Sequence, residues 1–284
     1  MTIAIERIRT LRQQSGQNPP SRAPQPTAAP PAAPRAAAHT VEDLRRLLRV
    51  RAPTRIAYAA TDVDRTLPGD EIAPGLRLIE TTLPCDPVAQ QLCGAFDRRE
   101  AMIPTRDVLF FDTETTGLAG GTGTRAFMIG TAQWRGDGLQ IRQWLMTTLS
   151  AEHDLLVAFA ETLHADIMLA SYNGKSYDAP LLATRFRLAR LRNPLTGLQH
   201  IDLLYPTRRS YRGRWENCRL ATIERQVLGV VREDDLPGSE APAAWLGYLR
   251  GGSARNLRRV ADHNRQDLAS LAGLLPRLAD PGDV

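Results

Sequence analysis

Residues 108–117 read Val-Leu-Phe-Phe-Asp-Thr-Glu-Thr-Thr-Gly, an apolar run that ends in two carboxylates and then breaks at glycine. Four consecutive large apolar side chains suit a central strand buried on both faces, since a strand sends alternate residues to opposite sides. The same alternation puts Asp112 and Glu114 on one face, side by side. Adjacent carboxylates repel each other, and a bound divalent cation is the usual compensation; hard oxygen donors suit Mg²⁺ or Mn²⁺. Taken alone, Asp-x-Glu favours the plainer reading, a strand end whose acids face water.

Two acidic motifs downstream change that balance. Ser171-Tyr-Asn-Gly-Lys-Ser-Tyr-Asp178 follows a second apolar run, Ile167–Ala170. His263-Asn-Arg-Gln-Asp267 lies in a helical pattern near the C-terminus. In this order the three sites resemble the DEDD superfamily of 3′–5′ exonucleases, which have a ribonuclease H-like fold. Asp112 and Glu114 resemble its first motif, Asn173-x-x-x-Tyr177-Asp178 its second, and Asp267 the aspartate of its third. The resemblance is nearest to the bacterial YprB-like branch and extends to Gly120–Thr124, to Asp235-Leu-Pro-Gly238 and to the His-Asn pair before Asp267. It covers roughly residues 106–278. The third motif departs from the usual pattern. The family places a histidine five residues before the aspartate or a tyrosine four before it, whereas here Asp262 and His263 stand at those positions. Positions i and i+4 share a helix face, so His263 and Asp267 can reach one site.

The resemblance implies a metal-dependent 3′–5′ exonuclease that hydrolyses phosphodiester bonds at single-stranded DNA or RNA ends with two ions, Mg²⁺ or Mn²⁺. Asp112 would bridge both ions, Glu114 and Asp267 would complete the first site, and Asp178 would support the second. His263 would accept the proton of the attacking water, a task that suits an imidazole with an ordinary pKa of about 6.5. Thr115 and Thr116 would touch the terminal nucleotide, and Asn173 and Tyr177 would orient the second-motif loop or the substrate. Simpler roles stand beside these: Asp178 as an N-cap before Ala179-Pro180, Asn173-Gly174 as a turn, Asp267 as a solvated acid. Arg208-Arg-Ser-Tyr-Arg212-Gly-Arg-Trp215 interleaves cations with aromatics as a single-strand groove does, with Arg212 and Trp215 as binding candidates; charge runs of this kind are more often solvated faces. Asp202 reads as structural, and Asp234 and Asp235 as parts of the Pro237-Gly238 turn. An endonuclease on the same fold, or a catalytically silent nucleic-acid-binding adaptor, are the competing readings.

Composition sets the surroundings. Residues 14–39 are rich in Pro, Ala, Gln and Ser and bury too little apolar surface to offset chain entropy. The expected organisation is a disordered Pro/Ala-rich arm (1–40), a small appendage (41–105) and a ribonuclease H-like domain (106–280). The arm is the one feature that favours a protein partner. Net charge is +5, and Lys175 is the only lysine. Arginine favours bidentate phosphate contacts, although a GC-rich coding sequence accounts better for the bias. Three cysteines without C-x-x-C spacing fit a reducing compartment, and no signal peptide or membrane-spanning run is evident; a cytoplasmic protein is expected, with no membrane association.

The rhythm after residue 107 predicts an α/β fold with a mixed sheet flanked by helices. Strands are expected over Val108–Phe111, Ala126–Trp134 and Leu139–Thr147, the first three antiparallel, followed by parallel strands at Ile167–Ala170 and near His200–Leu204. Helices are expected from Ser150, an N-cap, to about Leu163, at Ala179–Leu191, and at about 219–228, 240–250 and 254–278. An earlier helix is expected from Val41, with short strand-like pieces at Leu76–Ile79.

Overall fold

The computed structural model describes residues 63–117 and 122–280. The arm, the helix expected from Val41 and the glycines at 120 and 121 lie outside the described residues. Seven strands form one mixed sheet: β1 (Asp70–Ala73), β2 (Leu76–Pro84), β5 (Val108–Thr115), β6 (Ala126–Arg135), β7 (Gly138–Met146), β8 (Met168–Ser171) and β9 (Gln199–Asp202). Their order is β1-β2-β7-β6-β5-β8-β9, and β3 (Gln91–Leu92) and β4 (Ile103–Pro104) pair separately. Pairs from β1 through β5 run antiparallel, while β5-β8 and β8-β9 are parallel. This is the ribonuclease H-like mixed sheet expected from residue 107 onward. Residues 70–84, placed by the sequence in an appendage, continue the same sheet: β2 runs alongside β7 from Leu76↔Met146 to Pro84↔Gly138.

The central strand β5 explains the two-sided core. Leu109 and Phe111 join Phe159, Leu182 and Phe186 on one face, while Val108 and Phe110 join Leu268, Leu271 and Leu275 on the other. Helices α1 (Glu152–Ala160), α2 (Asp178–Leu188) and α5 (Ala241–Leu249) supply the first face, where Trp245 stacks on Phe127 at 5.1 Å and donates to the Met146 carbonyl at 2.7 Å. The long α6 (Arg255–Ala279) covers the second, its buried stripe running Leu257, Val260, Ala261, Asn264, Leu268, Leu271, Leu275. That i, i+3, i+4 spacing is the apolar face of a helix, with one polar residue set into it.

Three local expectations change. Helix α1 begins at Glu152 after a 3₁₀ turn at Leu149–Ala151, and the Ser150 hydroxyl bonds that of Thr148 at 3.0 Å, so Ser150 is not the N-cap. A helix not expected from the sequence, α3 (Leu204–Tyr211), follows β9 directly. The stretch 219–228 splits into a single turn, α4 (Leu220–Ile223), and a π-helical turn at Glu224–Leu228.

Candidate active site

The carboxyl end of β5 delivers Asp112 and Glu114 to the face covered by α6, continuing the alternation of Val108 and Phe110. Glu114 is only 7% exposed. Asp112 Oδ2 accepts a hydrogen bond from Asn264 Nδ2 at 2.8 Å, and the Asn264 Oδ1 accepts from Gln143 Nε2 at 2.9 Å. Gln143 also donates to the Ala261 carbonyl at 2.7 Å. Asn264 and Gln143 are almost wholly buried, so this chain of amides is both satisfied and immobile. It needs room beside β6. Gly130 pairs with Asp112, and a Cβ there would stand 2.1 Å from Asn264 Oδ1 and 2.7 Å from Leu268 Cδ1. Neither neighbour can yield, because Asn264 is bonded at both ends. Gly130→Ala is therefore expected to destabilise the fold by about 1–3 kcal/mol, the usual cost of overpacking. Urea unfolding measures it; an unchanged midpoint would mean that α6 is not pinned by this network.

Asp178 arrives from the other side of the sheet. After β8 the chain turns through Asn173, whose φ of 67° is a left-handed conformation that asparagine tolerates. Asp202, fully buried at the end of β9, holds this turn. Its Oδ1 accepts the Asn173 amide at 2.7 Å and that of Leu204 at 3.2 Å, and Oδ2 accepts the Lys175 amide at 3.1 Å. The structural role expected of Asp202 thus has a specific object, the second acidic motif. Asp178 falls in the first turn of α2, with Tyr177 at the N-cap position and no side-chain cap. Its Oδ1 accepts from the Thr113 hydroxyl, which ties α2 to β5. The N-cap role is not what its carboxylate performs.

From α6 come His263 and Asp267, with His263 Nε2 3.7 Å from Asp267 Oδ2. His263 Nδ1 lies 2.7 Å from Asp235 Oδ1. Asp235 was read as a turn residue; it is instead the carboxylate that fixes this imidazole, while Asp234 pairs with Arg259 at 3.0 Å. Beside them Arg232 donates to the fully buried Glu224 at 2.5 and 2.7 Å and to Asp267 Oδ1, and its NH1 stands 3.1 Å from His263 Nδ1. Ser270 Oγ completes the Glu224 carboxylate at 2.5 Å. A buried carboxylate needs such partners, and Arg232, pinned by Glu224, in turn aims Asp267.

The charges of Asp267 and Asp178 are felt by Asp112 and Glu114. Burial pushes Asp112 and Glu114 well above the usual carboxylate range, and the charges of Asp267 and Asp178 push both further. Burial raises Asp178 to about 6, against the hydrogen bond from Thr113. Burial also raises Asp267, partly offset by His263 and Arg232. An acid with a raised folded pKa holds its proton more tightly when folded, so its contribution to stability is lost as pH climbs from the unfolded value to the folded one. In chelator, Asp178 therefore costs the fold increasing stability between about pH 4 and pH 6, roughly 3 kcal/mol at the plateau. The measurement is the Tm of wild type and of Asp178→Asn across that window. The variant should gain on wild type as pH rises, and a constant difference would contradict the shift.

A cavity of about 260 Å³ opens beside Asp112 and Asp178, lined also by Thr113, Thr115, Asn173 and Tyr177 among others. Glu114, Asp267 and His263 are not among its lining residues, and His263 lines a separate cleft with Arg232 and Asp235. Of the residues expected to meet substrate, Thr115, Asn173 and Tyr177 line it, and Tyr177 is 61% exposed. Thr116 does not; its Oγ1 accepts the Arg125 amide at 3.0 Å, and its own amide donates to the Arg125 carbonyl at 2.9 Å. Arg212 and Trp215 also lie off the cavity. Trp215 is partly buried against Tyr211, ring centroids 5.3 Å apart. Of the glycine-rich loop, Thr124 reaches the cavity wall, and Arg185 holds the Thr122 carbonyl at 2.7 Å.

Arg232 and Thr113 are the site residues that motif reading missed, and Asp235 and Asn264, both within motifs that the resemblance includes, were given no role at the site. The donor set fits a hard divalent cation: oxygen donors only, crowded until their protons are held abnormally tightly. The fit is one of charge and donor type. Among the described residues no group of three or more His, Cys, Asp or Glu already has metal-holding geometry. Asp112, Asp178 and Asp267 each turn an oxygen onto a protein donor instead.

A mixed sheet with acids at the end of its central strand defines a nuclease-like fold, and a family model confirms the class. Residues 109–279 match the RNase_H superfamily, and the chain belongs to it. It is 36% identical over 170 residues to the uncharacterized protein YprB of Bacillus subtilis (strain 168), a match covering 59% of this chain and 41% of that protein. Among solved structures, a family B DNA polymerase from the archaeon Pyrobaculum calidifontis aligns with TM-score 0.49 and 16% identity, over 60% of this chain and 24% of that one. Exonuclease I, in an SSB/exonuclease I structure with an inhibitor, aligns with TM-score 0.38 and 14% identity, over 52% and 42%. No helix among the described residues is long and apolar enough to cross a membrane.

Proposed function

We propose that the chain is a metal-dependent 3′–5′ exonuclease acting on single-stranded nucleic-acid ends, with residues 106–280 as its catalytic domain. The observation that carries this reading is the mutual charge penalty that Asp267 and Asp178 impose on Asp112 and Glu114, with Asp112 and Asp178 lining a cavity of about 260 Å³, near the lower limit for small-ligand sites. That volume suits one terminal nucleotide better than a duplex passing through. Asp112, Glu114, Asp178 and Asp267 would hold two Mg²⁺ or Mn²⁺ ions, which when bound supply a polarised water and a counter-charge for the departing 3′ oxygen.

The chain's own groups would do the rest. Thr115, Asn173 and Tyr177 hold the terminal nucleotide against the strand end. His263 takes the proton of the attacking water on Nε2, because Nδ1 faces Asp235 at 2.7 Å and is fixed by it. Arg232 holds one oxygen of Asp267 and Asn264 one oxygen of Asp112, which orients both carboxylates and leaves each a second oxygen for an ion. The three free cysteines, Cys85, Cys93 and Cys218, agree with a cytoplasmic setting.

The test is digestion of 5′-labelled DNA and RNA oligonucleotides by pure protein in Mg²⁺, Mn²⁺ or chelator. A ladder shortening from the 3′ end, abolished by chelator, is the expected result. Internal fragments from a circular single strand would instead support the endonuclease reading. Binding without products in any metal would leave a silent nucleic-acid-binding protein.

A further inference from the structure

The surface leading away from the cavity carries its own pattern. Helix α3 buries Leu204, Pro206, Thr207 and Tyr211 and turns Tyr205, Arg208 and Arg209 outward, with Arg212 one turn further on the same side. Tyr205 is 43% exposed, and its hydroxyl lies 3.4 Å from Ser176 Oγ, next in sequence to the cavity residue Tyr177. Lys175, also exposed, precedes Ser176. The charge of Arg208 acts on Tyr172, another residue of the cavity wall. No carboxylate occurs between residues 203 and 215. Arg209 donates to the Phe96 carbonyl, which steadies its stem without cancelling its charge.

We propose that this stripe, Tyr177, Lys175, Tyr205, Arg208, Arg209 and Arg212, is the track of a single-stranded nucleic acid whose 3′ end occupies the cavity. The inference rests on the exonuclease reading and adds the path of the strand and the residues that carry it. Unpaired bases stack on exposed aromatic faces while cations follow the backbone, and the interleaving of two tyrosines with four cations offers both. A duplex keeps its bases stacked within the helix and gains nothing from Tyr205. The arginine-aromatic segment singled out in the sequence is thus assigned a partner, through Tyr205 in place of Trp215.

The test is fluorescence anisotropy in chelator with the full chain and 5′-labelled ligands: a single strand of about a dozen nucleotides, a blunt duplex of equal length and a dinucleotide. Tyr205→Ala is expected to weaken single-strand binding about ten-fold. Arg208→Gln should lower affinity and reduce the dependence of log K on log salt by about one unit or slightly less. Both side chains are exposed, so the variants keep the wild-type Tm. Hydrolysis of the dinucleotide in Mg²⁺ should not change, because so short a substrate does not reach α3. Wild-type affinity for the single strand in both variants overturns the track. So does tighter binding of the duplex than of the single strand, or an equal loss on the dinucleotide. If wild-type protein binds as described and hydrolyses nothing, the exonuclease reading fails and the track stands.

Discussion

Asp112→Asn is expected to lose nucleic-acid cleavage by on the order of 10³-fold or more while raising the Tm of the metal-free protein. Both effects have one cause. Asp112 sits among Glu114, Asp178 and Asp267, and its charge is disfavoured by burial and by all three neighbours. An amide of the same shape keeps the acceptor for Asn264 Nδ2 and removes the repulsion. In the proposed mechanism it also removes one of the four carboxylates that would hold the ions, so the Tm increase produced by Mg²⁺ in the wild type should shrink in the variant. Cleavage assays and thermal unfolding with and without Mg²⁺ supply both readouts. Wild-type cleavage by the variant would place the activity elsewhere in the chain. A lower metal-free Tm would mean that Asp112 is held as a structural anion.

His263→Ala is the second large effect, a loss of roughly 10²–10⁴-fold in single-turnover cleavage with the Mg²⁺-induced Tm shift retained, since the four acids remain. The third motif has a histidine at the tyrosine spacing, and the structure shows what accompanies it. Asp235 fixes Nδ1 at 2.7 Å and leaves Nε2 turned toward Asp267, 3.7 Å away. Asp235→Ala should therefore lose part of the same activity without touching the acids. His263→Tyr restores the usual residue at that spacing and should keep a fraction of the rate, by orienting the water. If His263→Ala and Asp235→Ala both cleave like wild type, the imidazole is a bystander.

The strands were legible because their determinants are local. Val108–Phe111 is apolar on both sides and became the centre of the sheet; the turn at Gly136 let β6 and β7 pair as a hairpin, Arg135↔Gly138. The candidate acids were picked out by three motifs in the order of a known family; alternation along β5 and i, i+4 spacing on α6 made a shared face possible for two of the pairs. Helix α3 was less legible, since Pro206 and two adjacent arginines gave it no apolar periodicity; burial of Leu204, Pro206 and Tyr211 formed it. Ser150 looked like an N-cap by residue type, and its hydroxyl went to Thr148 instead. Residues 70–84 carried no sign of where they would pair, because edge strands are matched by a partner distant in sequence.

Residue type and spacing by themselves determined the strands of the mixed sheet and most helices, because strand alternation and helix period act over a few positions; the ribonuclease H-like class and the four candidate acids came from the ordered motifs that resemble a known family. Tertiary structure alone decided which neighbours those acids have. Asn264 meets Asp112 across 152 positions, Arg232 meets Asp267 across 35, and Thr113 meets Asp178 across 65. No local rule links such pairs; they form only because burying the apolar stripe of α6 against β5 and β6, and α2 against the other face, brings their backbones together. The same packing put Tyr205, three residues ahead of the Arg208–Trp215 segment, beside Ser176 and set Trp215 against Tyr211, which is why the sequence did not point to Tyr205.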